Sequence, residues 1–166
     1  SAHVSAARAA VFDVGGVLLR SGAPQLAQAM FGEAAVRFAG MHAVYESPVW
    51  KSLDGGTLSY EHAMQILDYN RFGIAKEDFA EWLQRFPDAM TALEGGSNLV
   101  DQLHARGVPC FVLSNFHEPS FKRVTALNPQ IFGKMTECVV SYQCKLMKPE
   151  PEMFAHLGEV LAKHGG

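Results

Sequence analysis

The chain has few charges and almost no clustering of them. Only 19% of its 166 residues are Asp, Glu, Lys or Arg, and the formal net charge is -3. No basic run is present, which excludes the electrostatic footprint of a nucleic-acid or anionic-membrane binder. No apolar stretch approaches the length needed to span a bilayer, and residues 1–8 lack the apolar centre of a secretory signal. Cysteine is scarce: Cys110, Cys138 and Cys144 are odd in number and without zinc-type spacing. Cys110 and Cys138 fall in apolar runs, where a thiol serves as a small hydrophobe, and a reducing cytoplasm is the expected setting. There is no internal repeat and no low-complexity tract. What remains is ordinary globular composition, 48% hydrophobic, in a length suited to one packed domain or a core with a small insertion.

Three apolar runs each end in a residue able to do chemistry. The first, Ala9-Ala10-Val11-Phe12, stops at Asp13 and passes through Val14 into the pair Gly15-Gly16. An apolar run broken by glycines reads as a buried strand followed by a loop whose backbone can approach a ligand. The second run, from residue 108 to 113, ends in Ser114-Asn115. The third, 138–142, leads to Lys148-Pro149. In open α/β sheets, ligands bind at the carboxyl ends of the strands, so Asp13, Ser114 and Lys148 are expected at one site. Taken singly, each is as readily a turn or loop residue.

Between the first and second runs the pattern is helical. Leu26, Met30 and Phe31 fit one face, as do Ala35, Phe38 and Ala39. Ser59 is placed to cap a helix whose apolar face is Ala63, Ile66 and Leu67. Phe79, Trp82, Leu83 and Phe86 make another stripe, and Leu99, Val100 and Leu103 lie on a helix ending at Gly107. Trp50, Trp82 and the Phe stripes read as the packing of a helical bundle rather than a pocket lining. From the second run onward the order is strand, helix, strand, helix, the alternation of a parallel sheet. The expected architecture is α/β: a Rossmann-like parallel sheet formed by residues 1–22 and 93–166, with a helical cap, residues 23–92, inserted after the first strand.

The ordered set resembles the haloacid dehalogenase (HAD) superfamily of hydrolases. Phe12-Asp13-Val14-Gly15-Gly16-Val17-Leu18 matches its nucleophile motif, Leu113-Ser114-Asn115 its second motif, and Lys148-Pro149 its third. The resemblance implies that Asp13 is the nucleophile, that Ser114 and Lys148 bind phosphate charge, and that Gly15, Gly16 and Asn115 contact substrate. It also implies Mg²⁺ held by Asp13 and the Gly15 carbonyl, as suits hard oxygen donors. The substrate would be a small phosphorylated molecule.

Two departures shape the expected function. Most phosphatases of the superfamily carry a second Asp two residues after the nucleophile; here that position is Gly15. Relatives without it resemble the α-D-glucose-1-phosphate phosphatases, for which an anomeric leaving group needs less protonation. The L-2-haloacid dehalogenases also lack it, although Phe154 stands where they usually have Tyr. His117 reads as a surface-loop residue rather than a replacement acid. The fourth motif, a strand ending in paired acidic residues, does not follow Lys148. The first strand is therefore expected at a sheet edge, despite a sequence that reads as a buried centre. Three explanations are open: a longer parent enzyme, a homodimer covering the edge, or an inactive interaction protein that keeps the front of the fold.

Overall fold

The computed structural model describes residues 9–32, 47–68 and 75–165. Its centre is a parallel sheet of three strands, β1 (Ala10–Phe12), β4 (Cys110–Ser114) and β5 (Glu137–Val140), in the order β1-β4-β5. The strand β4 is central and buried at every position. Alternation splits its side chains between two layers. Cys110 and Val112 join the large core with Phe12 and Val140, while Phe111 and Leu113 join Val139 against Met153, Leu157 and Val160. The last three come from the C-terminal helix, Pro151–Lys163. A continuous apolar run with no polar face is what a strand covered on both sides requires.

As expected, β1 is an edge among the described residues. It pairs with β4 alone, with Ala10 opposite Cys110 and Phe12 opposite Val112. Phe12 is buried, whereas Val11, on the opposite face of the pleat, is 41% exposed.

The chain leaves β1 through a tight loop into β2 (Leu19–Arg20), which pairs antiparallel with β3 (Thr91–Ala92). All described residues between these two short strands are helix, turn or connecting segment. The helices are α1 (Ala23–Phe31), α2 (Pro48–Asp54), α3 (Tyr60–Ile66) and α4 (Lys76–Arg85), followed by the 3₁₀ turn Phe86–Ala89. After β3 come α5 (Glu94–Ala105), then β4, α6 (Glu118–Leu127), α7 (Pro129–Phe132), β5, α8 (Ser141–Cys144) and α9 (Pro151–Lys163). Ser59 caps α3 as expected, accepting the His62 amide hydrogen bond at 3.2 Å.

Most of the apolar stripes lie inside, with two corrections. Ile66 is 50% exposed and Leu99 47% exposed. On α3 the inward arc is centred on Leu67 and takes Ala63 and Met64; Ile66 lies a further ~100° round the helix at 3.6 residues per turn. On α5 the only fully buried member of the expected stripe is Val100. Ala35, Phe38 and Ala39 lie outside the described residues.

Trp82 anchors the helical insertion. It is fully buried between Phe79 and Phe86, with ring centroids at 5.7 Å on either side, and its indole N–H donates to the Ala23 carbonyl. Trp82→Ala is expected to cost about 3–5 kcal/mol, measured by urea denaturation; a loss below about 1 kcal/mol would contradict this packing. Burial pushes the Cys138 thiol up to about 11 and raises that of Cys110. Both therefore stay protonated near neutral pH, and neither is expected to react with iodoacetamide until the protein unfolds. Rapid labelling of the native fold would contradict that.

Candidate active site

Parallel pairing brings the carboxyl ends of β1 and β4 side by side. Asp13 is the residue after β1 and Ser114 the last of β4. The Ser114 hydroxyl donates to Asp13 Oδ1 at 3.0 Å, and the Val14 amide donates to the same oxygen at 2.7 Å. Lys148, 135 residues from Asp13 in the chain, donates from Nζ to Asp13 Oδ2 at 2.6 Å. The three residues expected at one site therefore meet on a single carboxylate. The Asp13 side chain is 42% exposed and that of Lys148 24%, so the group is open to a ligand and incompletely screened.

Asn115 explains why Lys148 arrives there. Its side-chain Nδ2 donates to the Lys148 carbonyl and its Oδ1 accepts from the Lys148 amide, both at 2.9 Å. The residue after Ser114 thus clamps the main chain of Lys148 beside the end of β4. Asn115, expected at the substrate, has its side-chain amide engaged with the lysine that faces Asp13.

The loop after Asp13 is held by the Val14 carbonyl, which accepts from the Leu18 and Leu19 amides, and by the Gly16 amide donating to Leu19. Gly16 has φ +75, a backbone region that costs other residues strain. Gly96, in the first turn of α5, lies so close to this loop that a Cβ would meet the Val17 carbonyl oxygen at 2.2 Å. Gly15 is exposed, and nothing lies within 4 Å of where its Cβ would be. The Gly15 amide donates to no described residue and is available to an anion.

The donor set fits Mg²⁺ in kind. Asp13 uses two lone-pair positions on Oδ1 and one on Oδ2, leaving a fourth, and the Gly15 carbonyl is not engaged with any described residue. No group of three or more His, Cys, Asp or Glu residues is poised around a common point among the described residues. Two protein oxygens, with water and a substrate phosphate, are the pattern in which Mg²⁺ is commonly held.

Sequence reasoning missed a second polar cluster beside this one. His117 is not a surface residue: it is 2% exposed. Its Nδ1 faces Asp54 Oδ1 at 3.0 Å and its Nε2 faces the Ser120 hydroxyl at 2.6 Å. Asp54, the last residue of α2, also accepts from the Trp50 indole at 2.9 Å. The Ser141 hydroxyl donates to the Asp54 carbonyl and accepts from the Phe116 amide. Trp50, though buried, lines two cavities at this junction, unlike Trp82. One periodic signal existed, Trp50 and Asp54 four residues apart on one helix face. Nothing in the sequence pointed from there to His117, 63 residues on.

The profile of the haloacid dehalogenase-like hydrolases matches residues 7–165, and the chain belongs to that family. Among solved structures, an HAD family enzyme from Bacteroides thetaiotaomicron in a magnesium complex is 16% identical, covering 95% of this chain and 79% of its own, with TM-score 0.69. A predicted HAD-like hydrolase from Porphyromonas gingivalis is 19% identical over 98% of this chain and 78% of its own, with TM-score 0.63. The L-2-haloacid dehalogenase from Xanthobacter autotrophicus is 16% identical over 93% of this chain and 65% of its own, with TM-score 0.66. At these identities the likeness is one of fold. No curated protein matches the chain.

The Asn115 clamp gives a direct test of how the site is built. Asn115→Ala removes two side-chain hydrogen bonds to the Lys148 main chain and is expected to cost about 1–2 kcal/mol of stability. Denaturant titration measures this; an unchanged midpoint would contradict the clamp.

Proposed function

We propose that this protein hydrolyses small phosphomonoesters, such as sugar phosphates, through a covalent phosphoryl group on Asp13. The observation that carries the reading is the convergence of the Ser114 hydroxyl, the Lys148 ammonium and the Val14 amide on that carboxylate. Phosphoryl transfer needs an in-line nucleophile and donors that follow negative charge onto the equatorial oxygens. In the resting site those donors hold and orient the carboxylate. With substrate bound, Ser114 and Lys148 are placed to donate to phosphate oxygens, joined by the Gly15 amide. The attacking Asp13 oxygen forms a bond to phosphorus as the bond to the leaving oxygen breaks. Water then attacks phosphorus, phosphate departs, and the carboxylate is restored. Mg²⁺, held by Asp13 and the Gly15 carbonyl, would neutralise phosphate charge when bound.

Gly15 puts no acid beside the leaving oxygen, which favours leaving groups that depart without full protonation, an anomeric oxygen among them. The same feature keeps a second reading in play, displacement of halide from a 2-haloacid by Asp13, since halide leaves unprotonated.

Phosphate release from a panel of sugar phosphates, with and without Mg²⁺, tests the proposal. Release is expected to depend on Mg²⁺ and to fall by at least about 10³-fold in Asp13→Asn, with Ser114→Ala losing about 10–100-fold. Equal rates in wild type and Asp13→Asn would discard the nucleophile. Metal-independent halide release from 2-chloropropionate, with no phosphate release, would select the second reading.

A further inference from the structure

We propose that Asp54 selects the substrate at the Asp13 site by charge. It favours a leaving group that presents neutral hydroxyls and turns away one that carries a carboxylate or a second phosphate. This rests on the phosphomonoesterase reading above and adds the class of leaving group.

Two cavities meet at Asp54. The larger, about 470 Å³, is lined by Lys51, Lys148 and Glu150 as well as Asp54, and Lys148, whose Nζ meets Asp13, ties it to the phosphoryl end of a substrate. The smaller, about 250 Å³, opens on Gly15, where the family's second acid is missing. Its apolar lining is Trp50, Phe86, Met90 and Phe116, surface of the kind that packs against the C–H faces of a small ring. Among its described lining residues there is no Lys or Arg, and Asp54 is the one acidic side chain.

The carboxylate is fixed rather than floppy. Trp50 holds Oδ2 and His117 meets Oδ1. The His117 ring bridges the two side chains, with Nδ1 at Asp54 Oδ1 and Nε2 at the Ser120 hydroxyl. His117 is 2% exposed and borders the same cavity; with both nitrogens engaged it acts on Asp54 as a positioning residue. Asp54 keeps lone pairs beyond those two bonds and accepts only, so it rewards hydroxyl donors. A second anion in this cavity would meet no Lys or Arg among the described lining residues and would face a carboxylate in a partly desolvated space, where like-charge repulsion is strongest.

The test compares three substrates on the intact protein with Mg²⁺: p-nitrophenyl phosphate, a neutral aldose 1-phosphate, and a phosphorylated hydroxy acid. For the wild type, kcat/KM is expected to be at least about tenfold higher for the aldose phosphate than for the hydroxy-acid phosphate. In Asp54→Asn that ratio is expected to fall to about one, with gain on the acid as well as loss on the sugar. A merely structural role would lower both together. Thermal melting reports folding of the variant, and Asp54→Ser serves if the amide variant does not fold. A wild type that cleaves p-nitrophenyl phosphate yet prefers the carboxylated substrate, or a variant with an unchanged ratio, overturns the charge selection and leaves the phosphatase reading standing. Cleavage of none of the three overturns both.

Discussion

The contact between Lys148 and Asp13 is the constraint on which the site depends. Its strength is not what makes it matter. Both side chains are part-exposed, and exposed ion pairs contribute about 0–1 kcal/mol to stability. A pair worth so little would not by itself draw together residues 135 positions apart. The parallel pairing of β1 with β4 and the two hydrogen bonds from Asn115 do that. The ammonium is delivered to the carboxylate by main-chain geometry rather than by the strength of the pair.

Division of labour follows from the topology. The groups placed for chemistry lie on the sheet and the loops that leave it. The residues that shape the adjoining cavities, Trp50 and Asp54, come from the helical insertion. The two parts share one apolar core, with Phe86 stacked on Phe116, and polar contacts join them beside the site: Asp54 to His117 after β4, and Ser141 after β5 to the Asp54 main chain. Moving α2 away from the sheet would break these contacts. The same contacts that seat the insertion also set the chemistry of the smaller cavity.

Much of the fold was legible because buried parallel strands have few solutions. The run 108–113 could only be covered on both faces, and it became the central strand. The pairing of β1 was legible in part: its apolar run lies parallel to β4, and among the described residues it has no second neighbour. Asp13, Ser114 and Lys148 were readable because each sits where a strand ends. His117 was misread because its burial depends on Trp50 and Asp54, which the sequence places far away and on another layer. Asp54 ends a seven-residue helix just before Gly55-Gly56, and its carboxylate meets His117 at the end of the sheet. Ile66 and Leu99 were misplaced for a simpler reason, since apolar residues on a helix do not all face inward.

The central claim is that Asp13 takes the phosphoryl group onto its own carboxylate. Rapid acid quench during turnover of a cleaved phosphomonoester, followed by peptide mass mapping, locates any covalent adduct. The account predicts a transient gain of one phosphoryl mass on the peptide carrying Asp13. Phosphate release with the adduct on another residue, or with none at any time during the reaction, would contradict it.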